Sequence, residues 1–150
     1  MIANTSSQNM GGLTALGIAL KADIADFLSL NGSCKITYAS GKSALGVYFT
    51  RGTALVSTPP ADGGMFGIEL KFRSPKDRPA LLAAITPYIN KEVIAIGTDA
   101  NGEVKVYGSP DCPLKLTYAP TPKGVTADYN GIEFSTNGLD FAPGRFLVNT

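Results

Sequence analysis

The sequence predicts a mainly β (α+β) protein: an antiparallel β-sandwich or barrel of about eight short strands with one packed helix over residues 77–89. Three observations predict it. Short runs in which apolar and polar residues alternate recur along the chain. Turn residues separate these runs, most clearly Asn101-Gly102, because both residues tolerate positive φ in a tight hairpin. A single segment, Ser74–Asn90, has the apolar spacing of a helix instead.

The clearest predicted strand is Met65–Arg73, in which apolar and charged side chains fall on opposite faces. The apolar set is Phe66, Ile68, Leu70 and Phe72, and the charged set is Glu69, Lys71 and Arg73. Further strands are predicted at Cys34–Ala39, Ala44–Thr50, Thr53–Thr58, Glu92–Thr98, Glu103–Ser109, Leu114–Ala119 and Gly131–Thr136. The segment Asn137–Thr150 closes the chain as an edge strand in this interpretation.

The segment after Gly12 fits either a strand or a helical stripe. We predict a strand to about Lys21 and then a short helical turn through Ala22–Leu28. In the main helix, Pro79 suits the first turn, where its missing N–H costs nothing, and Pro87 ends or kinks the helix. Residues 1–12 are small and polar and predict a flexible N-terminal arm, and 13–150 predict a single β-rich domain.

Composition excludes several classes of protein. With 150 residues, 44% apolar and 17% charged, the chain is typical of a globular domain, and its net charge of +1 argues against a general nucleic-acid binder. No stretch approaches the roughly 18 apolar residues of a membrane helix. No Lys or Arg precedes Lys21, unlike the basic start of a secretory signal, so we expect synthesis and folding in the cytoplasm and no membrane partner.

The chain has no histidine, which lowers the expectation of catalysis because histidine is the commonest acid–base group near neutral pH. We predict that the protein is not an enzyme and binds no cofactor or metal, and we interpret Cys34 and Cys112 as reduced thiols. Gly41-Lys42-Ser43 lacks the spacing of a phosphate-binding loop. The acidic residues weighed as calcium ligands or as a glycosidase pair are Asp23, Asp26, Asp99, Asp111, Glu69, Glu92, Glu103 and Glu133.

The aromatic residues allow a different function. Five tyrosines and five phenylalanines fall in or beside predicted strands, where they serve as core and cross-strand pairs or as a stacking platform. They are Tyr38, Tyr48, Tyr107, Tyr118, Tyr129, Phe49, Phe66, Phe72, Phe134 and Phe146. Core packing is the simpler interpretation, and a carbohydrate- or protein-binding β-sandwich module is the alternative.

Three segments carry a resemblance to a known group of proteins: "KFRSPKDRPALLAAI", "EVIAIGTDANGEVKVYGSPDCPLKLTYAPTPKG" and "DYNGIEFSTNGLDFAP". Together they resemble small uncharacterised tail- or neck-type proteins of phages and prophages of Bacteroidetes-type bacteria, over roughly Phe66 to Pro143. The resemblance implies a virion structural protein and no catalytic residues. Its partners would be copies of itself in a closed hexamer-like ring and other tail or neck proteins, and whether DNA passes through the lumen without sequence readout stays open.

We therefore expect a tail-tube, tail-terminator or neck ring, made in the host cytoplasm and located in the virion. In that setting the alternative binding module would be a virion decoration or adhesin. Open sheet edges on one subunit can pair with the next, and loops can reach neighbouring rings. The residues predicted to make such assembly contacts lie in turns and loops: Asn101, Gly102, Asp62, Gly63, Pro122 and Lys123.

Overall fold

The computed structural model describes residues 13–30, 32–49, 54–75, 79–120 and 131–148. Within these ranges the strands are β1 (Leu13–Leu20), β2 (Ile24–Leu30), β3 (Ser33–Tyr38), β4 (Leu45–Val47), β5 (Leu55–Ser57), β6 (Phe66–Pro75), β7 (Glu92–Asp99), β8 (Val104–Tyr107), β9 (Leu114–Pro120), β10 (Gly131–Asp140) and β11 (Arg145–Leu147). The one α-helix of the described residues, α1, is Pro79–Ile85. Short 3-10 turns cover Lys21–Asp23, Asp62–Gly64 and Thr86–Tyr88.

The strands form one open mixed sheet, and the prediction of a mainly β protein with one helix is confirmed for the described residues. The strand order is β2-β3-β11-β8-β7-β9-β10-β6-β5. Outside this order, β1 pairs with the edge of β7 opposite to β8 and β9, and β4 pairs with β1. A closed barrel is wrong, because β2 and β5 end the described sheet without pairing to each other. The described residues contain eleven strands instead of about eight, since runs as short as β4, β5 and β11 give almost no periodic signal.

A purely antiparallel sheet is also wrong, because β11 runs parallel to β3. This strand lies between β8, which it pairs antiparallel, and β3, beside which Phe146 aligns with Ser33. The Val148 N–H donates to the Cys34 carbonyl at 2.8 Å, which extends the parallel pairing by one residue. The closing segment was predicted at an edge, but it is paired on both sides.

The helical turn predicted through Ala22–Leu28 is wrong beyond its first residues. The chain makes a 3-10 turn at Lys21–Asp23 and then continues as β2 in an antiparallel hairpin with β3. Pairing with β3 decides the conformation here, because tertiary contacts readily override a weak local helical pattern. A register shift between Ile24 and Asp26 places a β-bulge at the start of β2.

The helix is shorter than predicted at its C-terminal end. It ends at Ile85, two residues before Pro87, and the chain continues as the 3-10 turn that contains this proline. Its predicted first residues, 77 and 78, lie outside the described residues, as does the arm predicted at 1–12. Ile85 is 1% exposed and anchors the helix to the core.

Two clusters of apolar side chains lie on opposite faces of β7. Val93 and Ala95 belong to the larger cluster, whereas Ile94 on the other face belongs to the smaller one. The larger cluster joins β1, β7 and β8 to β6, β9, β10 and α1. The smaller cluster joins Ile94 and Val106 to Cys34 and Ile36 of β3. The sheet therefore folds on itself, and β7 is its most buried strand.

The larger cluster depends on close packing between β9, β10 and β6. The alternation predicted for Met65–Arg73 is confirmed for Ile68, Leu70 and Phe72, which are buried, while the charged set of β6 is exposed. Phe72 stacks on Phe134 of β10 with ring centroids 5.0 Å apart. Further along β10, a Cβ at Gly138 would stand 2.6 Å from the buried Leu114 side chain and 3.0 Å from the Pro113 carbonyl oxygen, so space favours glycine here.

Candidate functional site

The hairpin tip predicted at Asn101-Gly102 is confirmed as an exposed turn between β7 and β8. The Asp99 carboxylate organises it, because its Oδ1 accepts the backbone N–H of Asn101 at 2.9 Å and that of Glu103 at 3.0 Å. Gly102 has a φ of 86°, which favours glycine at this position. The turn is thus a well-formed hairpin end available to solvent.

The second predicted pair, Asp62 and Gly63, lies in the exposed 3-10 turn before β6. Gly63 also has a positive φ, of 76°. In the sheet order, β9 and β10 lie between the strands that carry this turn and the strands of the Asn101 hairpin, so the fold does not place the two turns on neighbouring strands. Pro122 and Lys123 lie outside the described residues.

Sequence reasoning missed an exposed apolar surface on the β2–β3–β11 part of the sheet. Its members are Leu28 and Leu30 of β2, Phe146 of β11 and the following Val148, which are 59%, 74%, 44% and 48% exposed. Strand alternation and register put all four on one side, because Leu30 aligns with Ser33 and Ser33 aligns with Phe146. We call these four side chains the outward apolar face.

Charged side chains lie within and beside the outward apolar face. Lys35 aligns with Leu28, and Lys105 places its Nζ 4.9 Å from the centroid of the Phe146 ring. Asp26, on the same side of β2 as Leu28, is exposed and has opposite charge. The face therefore combines an apolar centre with two cations and one anion at defined positions.

The strand β2 is also an end of the sheet, so one of its backbone edges has no strand beside it in the described residues. Natural edge strands are usually protected by charges, bulges or proline. Here the bulge and Asp26 protect only the first half, and the second half reads "FLSL". An uncharged edge next to an exposed apolar face is a surface suited to association with another polypeptide.

A buried ion pair fixes this part of the sheet. Asp140, 1% exposed, holds the Arg145 guanidinium through two contacts of 2.6 and 3.1 Å. Arg145 Nε donates to the Ser29 hydroxyl at 2.9 Å, so one guanidinium connects β10, β11 and β2. The hydrogen bond to Asp140 raises the pKa of Arg145, which keeps the guanidinium charged. This pair was not predicted, although Asp140 and Arg145 flank the turn "FAPG".

The two cysteines have different surroundings. Cys34, 3% exposed, points away from the outward apolar face, and burial raises the pKa of its thiol more than the Arg145 charge lowers it. Cys112 is half-buried in the turn after β8, where its N–H donates to the Ser109 hydroxyl at 3.1 Å. A raised pKa keeps the Cys34 thiol protonated at neutral pH.

The acidic residues weighed for chemistry lie in ordinary surface positions. Glu69 pairs with Lys71 at 2.9 Å and Glu133 with Arg73 at 3.9 Å, on the polar side of β6 and β10. Among the described residues, no three His, Cys, Asp or Glu side chains are grouped as metal ligands would be. A cleft of about 720 Å³ beside Lys21 contains Glu92, which is itself paired with Lys21 at 3.3 Å.

None of the helices in the described part of the chain is long and apolar enough to span a bilayer. Comparison with known proteins adds no relative: no protein-family model, no curated protein and no solved structure matches this chain.

Proposed function

We propose that the protein is a phage virion structural protein that assembles with copies of itself into a tail-tube, tail-terminator or neck ring. The observation that carries the proposal is the outward apolar face, in which Leu28, Leu30, Phe146 and Val148 stand exposed on a rigid sheet. Burial of each side chain contributes on the order of 1 kcal/mol, which favours association. The resemblance over Phe66–Pro143 supports the assignment of the protein to a virion. The net charge of +1 gives only weak repulsion between copies.

The open sheet supports the same proposal. A sheet that ends in β2 and β5 has two unlike edges, and repeated subunits need more than one contact surface to close a ring. The turns at Asn101 and Asp62 are exposed and can contact neighbouring rings. No catalytic group is assigned in this proposal, and its partners are other copies and adjoining tail or neck proteins.

The proposal is tested by the mass and shape of the purified full chain. We expect rings or tubes by negative-stain electron microscopy and a concentration-dependent mass by light scattering. Val148→Lys places a charge in the outward apolar face and should dissociate the assembly. Asn137→Lys adds the same charge on the exposed polar side of β10 and should leave it intact. Monomers at every concentration, with no rings or tubes, would contradict the proposal.

A binding module is the second candidate, and exposed aromatic rings favour it. Tyr48, Phe141 and Tyr118 are 74%, 66% and 43% exposed, so their faces can stack on a sugar or a protein side chain. A glycan array with the purified chain separates the two candidates. A saturable hit that Phe141→Ala abolishes would favour the module, whereas an array with no hit rules out its carbohydrate form.

A further inference from the structure

The free edge of β2 has a self-complementary sequence of outward side chains. On that side of the strand Asp26, Leu28 and Leu30 follow one another, and Lys35 of β3 lies beside Leu28. Asp26 lies near one end of β2, and Lys35 lies beside its middle. Two β2 edges can therefore meet in opposite directions without bringing like charges together. The other edge of β2 is occupied by β3 along its whole length.

We propose that a second copy of this chain binds to β2 by antiparallel pairing of the two β2 strands about a two-fold axis at Phe27. In this register Asp26, Phe27 and Leu28 of each copy pair with Leu28, Phe27 and Asp26 of the other, and the bulge at the start of β2 ends the regular pairing there. A two-fold contact uses the same surface on both copies, so one set of residues must be complementary to itself. The proposal rests on the self-assembly proposed above; this two-fold contact joins copies in pairs, so closure of a ring needs a second contact surface as well.

Charge selects this register over its neighbours. Residues that align across neighbouring strands form a row on one side of the sheet. With the axis at Phe27, Asp26 lies opposite Leu28 of the second copy, in the same row as that copy's Lys35. Each carboxylate then lies two strands, roughly 10 Å, from an ammonium group across Leu28, and both charges are on the exposed side of the joined sheet, where their attraction is modest. With the axis at Leu28, Asp26 instead lies opposite Leu30, in the row of Ser33, and has no cation there. With the axis at Asp26, the two carboxylates would face each other.

A second β2 strand would lie beside the first in the plane of the sheet. Its room depends on the residues above and below this edge. On the inward side Arg145 connects Ser29 to the Gly108 carbonyl, and Pro110 and Asp111 flank the first half of β2 across a cleft of about 190 Å³. On the outward side Asp26, Leu28 and Leu30 are all exposed. Pairing at the free edge satisfies backbone groups of β2 beyond its bulge, and it joins the two outward apolar faces into one broader face. That broader face remains available for stacking between rings.

The test is a charge exchange in the full chain, measured by sedimentation velocity over a concentration series. Asp26→Lys and Lys35→Asp should each weaken the dimer by about tenfold or more, because each places like charges in both rows. The double variant Asp26→Lys/Lys35→Asp should restore the dimer to within about threefold of the original affinity. Lys115→Asp, an exposed lysine on the polar side of β9, is the matched control and should change nothing.

A double variant as weak as the two single variants, or an equal loss in Lys115→Asp, would overturn the pairing. Circular dichroism of each variant separates a lost contact from a lost fold. Dimers that respond to the exchange but never form rings support this contact and refute the ring. Rings that form regardless of the exchange refute this contact and leave the ring standing.

Discussion

Removal of one partner from the Asp140–Arg145 pair should be among the most destabilising single changes in the described fold, and Arg145→Met tests this. The guanidinium makes two contacts with Asp140 and one with Ser29. Its removal leaves a carboxylate at 1% exposure, for which the Phe141 N–H, at 2.7 Å, is the remaining donor among the described residues. Loss of one partner from a buried pair costs about 3–5 kcal/mol. Since domains are stable by about 5–15 kcal/mol, the variant should be close to unfolding.

The assay is urea denaturation at pH 7, with the free energy of unfolding obtained by linear extrapolation. Lys21→Met is the control, because the pair of Lys21 with Glu92, at 3.3 Å, is exposed, with side chains 42% and 63% accessible. We expect the control to lose under about 1 kcal/mol. The double variant Asp140→Leu/Arg145→Met should lose clearly less than the sum of the two single losses, because it leaves no charge buried alone.

Two results would refute this reasoning. A loss under about 1 kcal/mol in Arg145→Met would mean that the pair contributes no more than a surface contact. Additive losses in the double variant would mean that the two side chains stabilise the fold independently. Hydrogen exchange adds a local readout, because loss of the Arg145 contact with Ser29 should raise exchange in β2 before it does so in β7.

Three further predictions concern stability. Gly138→Ala should lower the free energy of unfolding by about 1–3 kcal/mol, because the added Cβ has little room. Gly46→Ala is the control and should change it by under about 0.5 kcal/mol, because the space around Gly46 is open. Equal losses in the two variants would contradict the packing argument. Thr136→Val should stabilise the protein by about 1 kcal/mol, because within the described structure the buried Thr136 hydroxyl has no hydrogen-bond partner. A clear fall in the thermal unfolding midpoint would instead show that the hydroxyl has a partner. Burial raises the pKa values of Cys34 and Tyr107, so the unfolded chain loses these protons first. Stability should fall above about pH 8.5 because of Cys34 and more steeply above about pH 10 because of Tyr107, by up to about 1.4 kcal/mol per pH unit for each group; a stability that is flat or rising from about pH 8.5 to 11 would refute this.

The parts of the fold that could be predicted are those with long, regular alternation. Phe66–Pro75 and Glu92–Asp99 are strands, and the hairpin at Asn101-Gly102 follows from its turn residues. Strands of three residues, such as Arg145–Leu147, contain too few positions to show a period. The β2 segment fits both periods locally, and only its pairing with β3 decides between them.

The candidate site depended on long-range pairing and could not be predicted in the same way. The hairpin tip at Asn101 is a local feature, so its position was predictable. The outward apolar face combines Leu28 with Phe146, and they share a surface only because β11 lies beside β3. No local pattern indicates that parallel pairing. The turn residues around Arg145 gave a local hint of the ion pair, but the burial of Asp140 is a property of the whole fold.

The parallel pairing of β3 with β11 has a consequence for how the protein is made. Ser33 and Cys34 leave the ribosome over a hundred residues before Phe146 and Leu147, with which they pair. At roughly 5–20 residues per second, the β2–β3 hairpin therefore waits several seconds or longer without its neighbour. During that interval Phe146 and Val148 have not been added to the outward apolar face. Nascent chains thus lack half of the surface through which finished copies would meet, and translation itself delays premature association on the polysome.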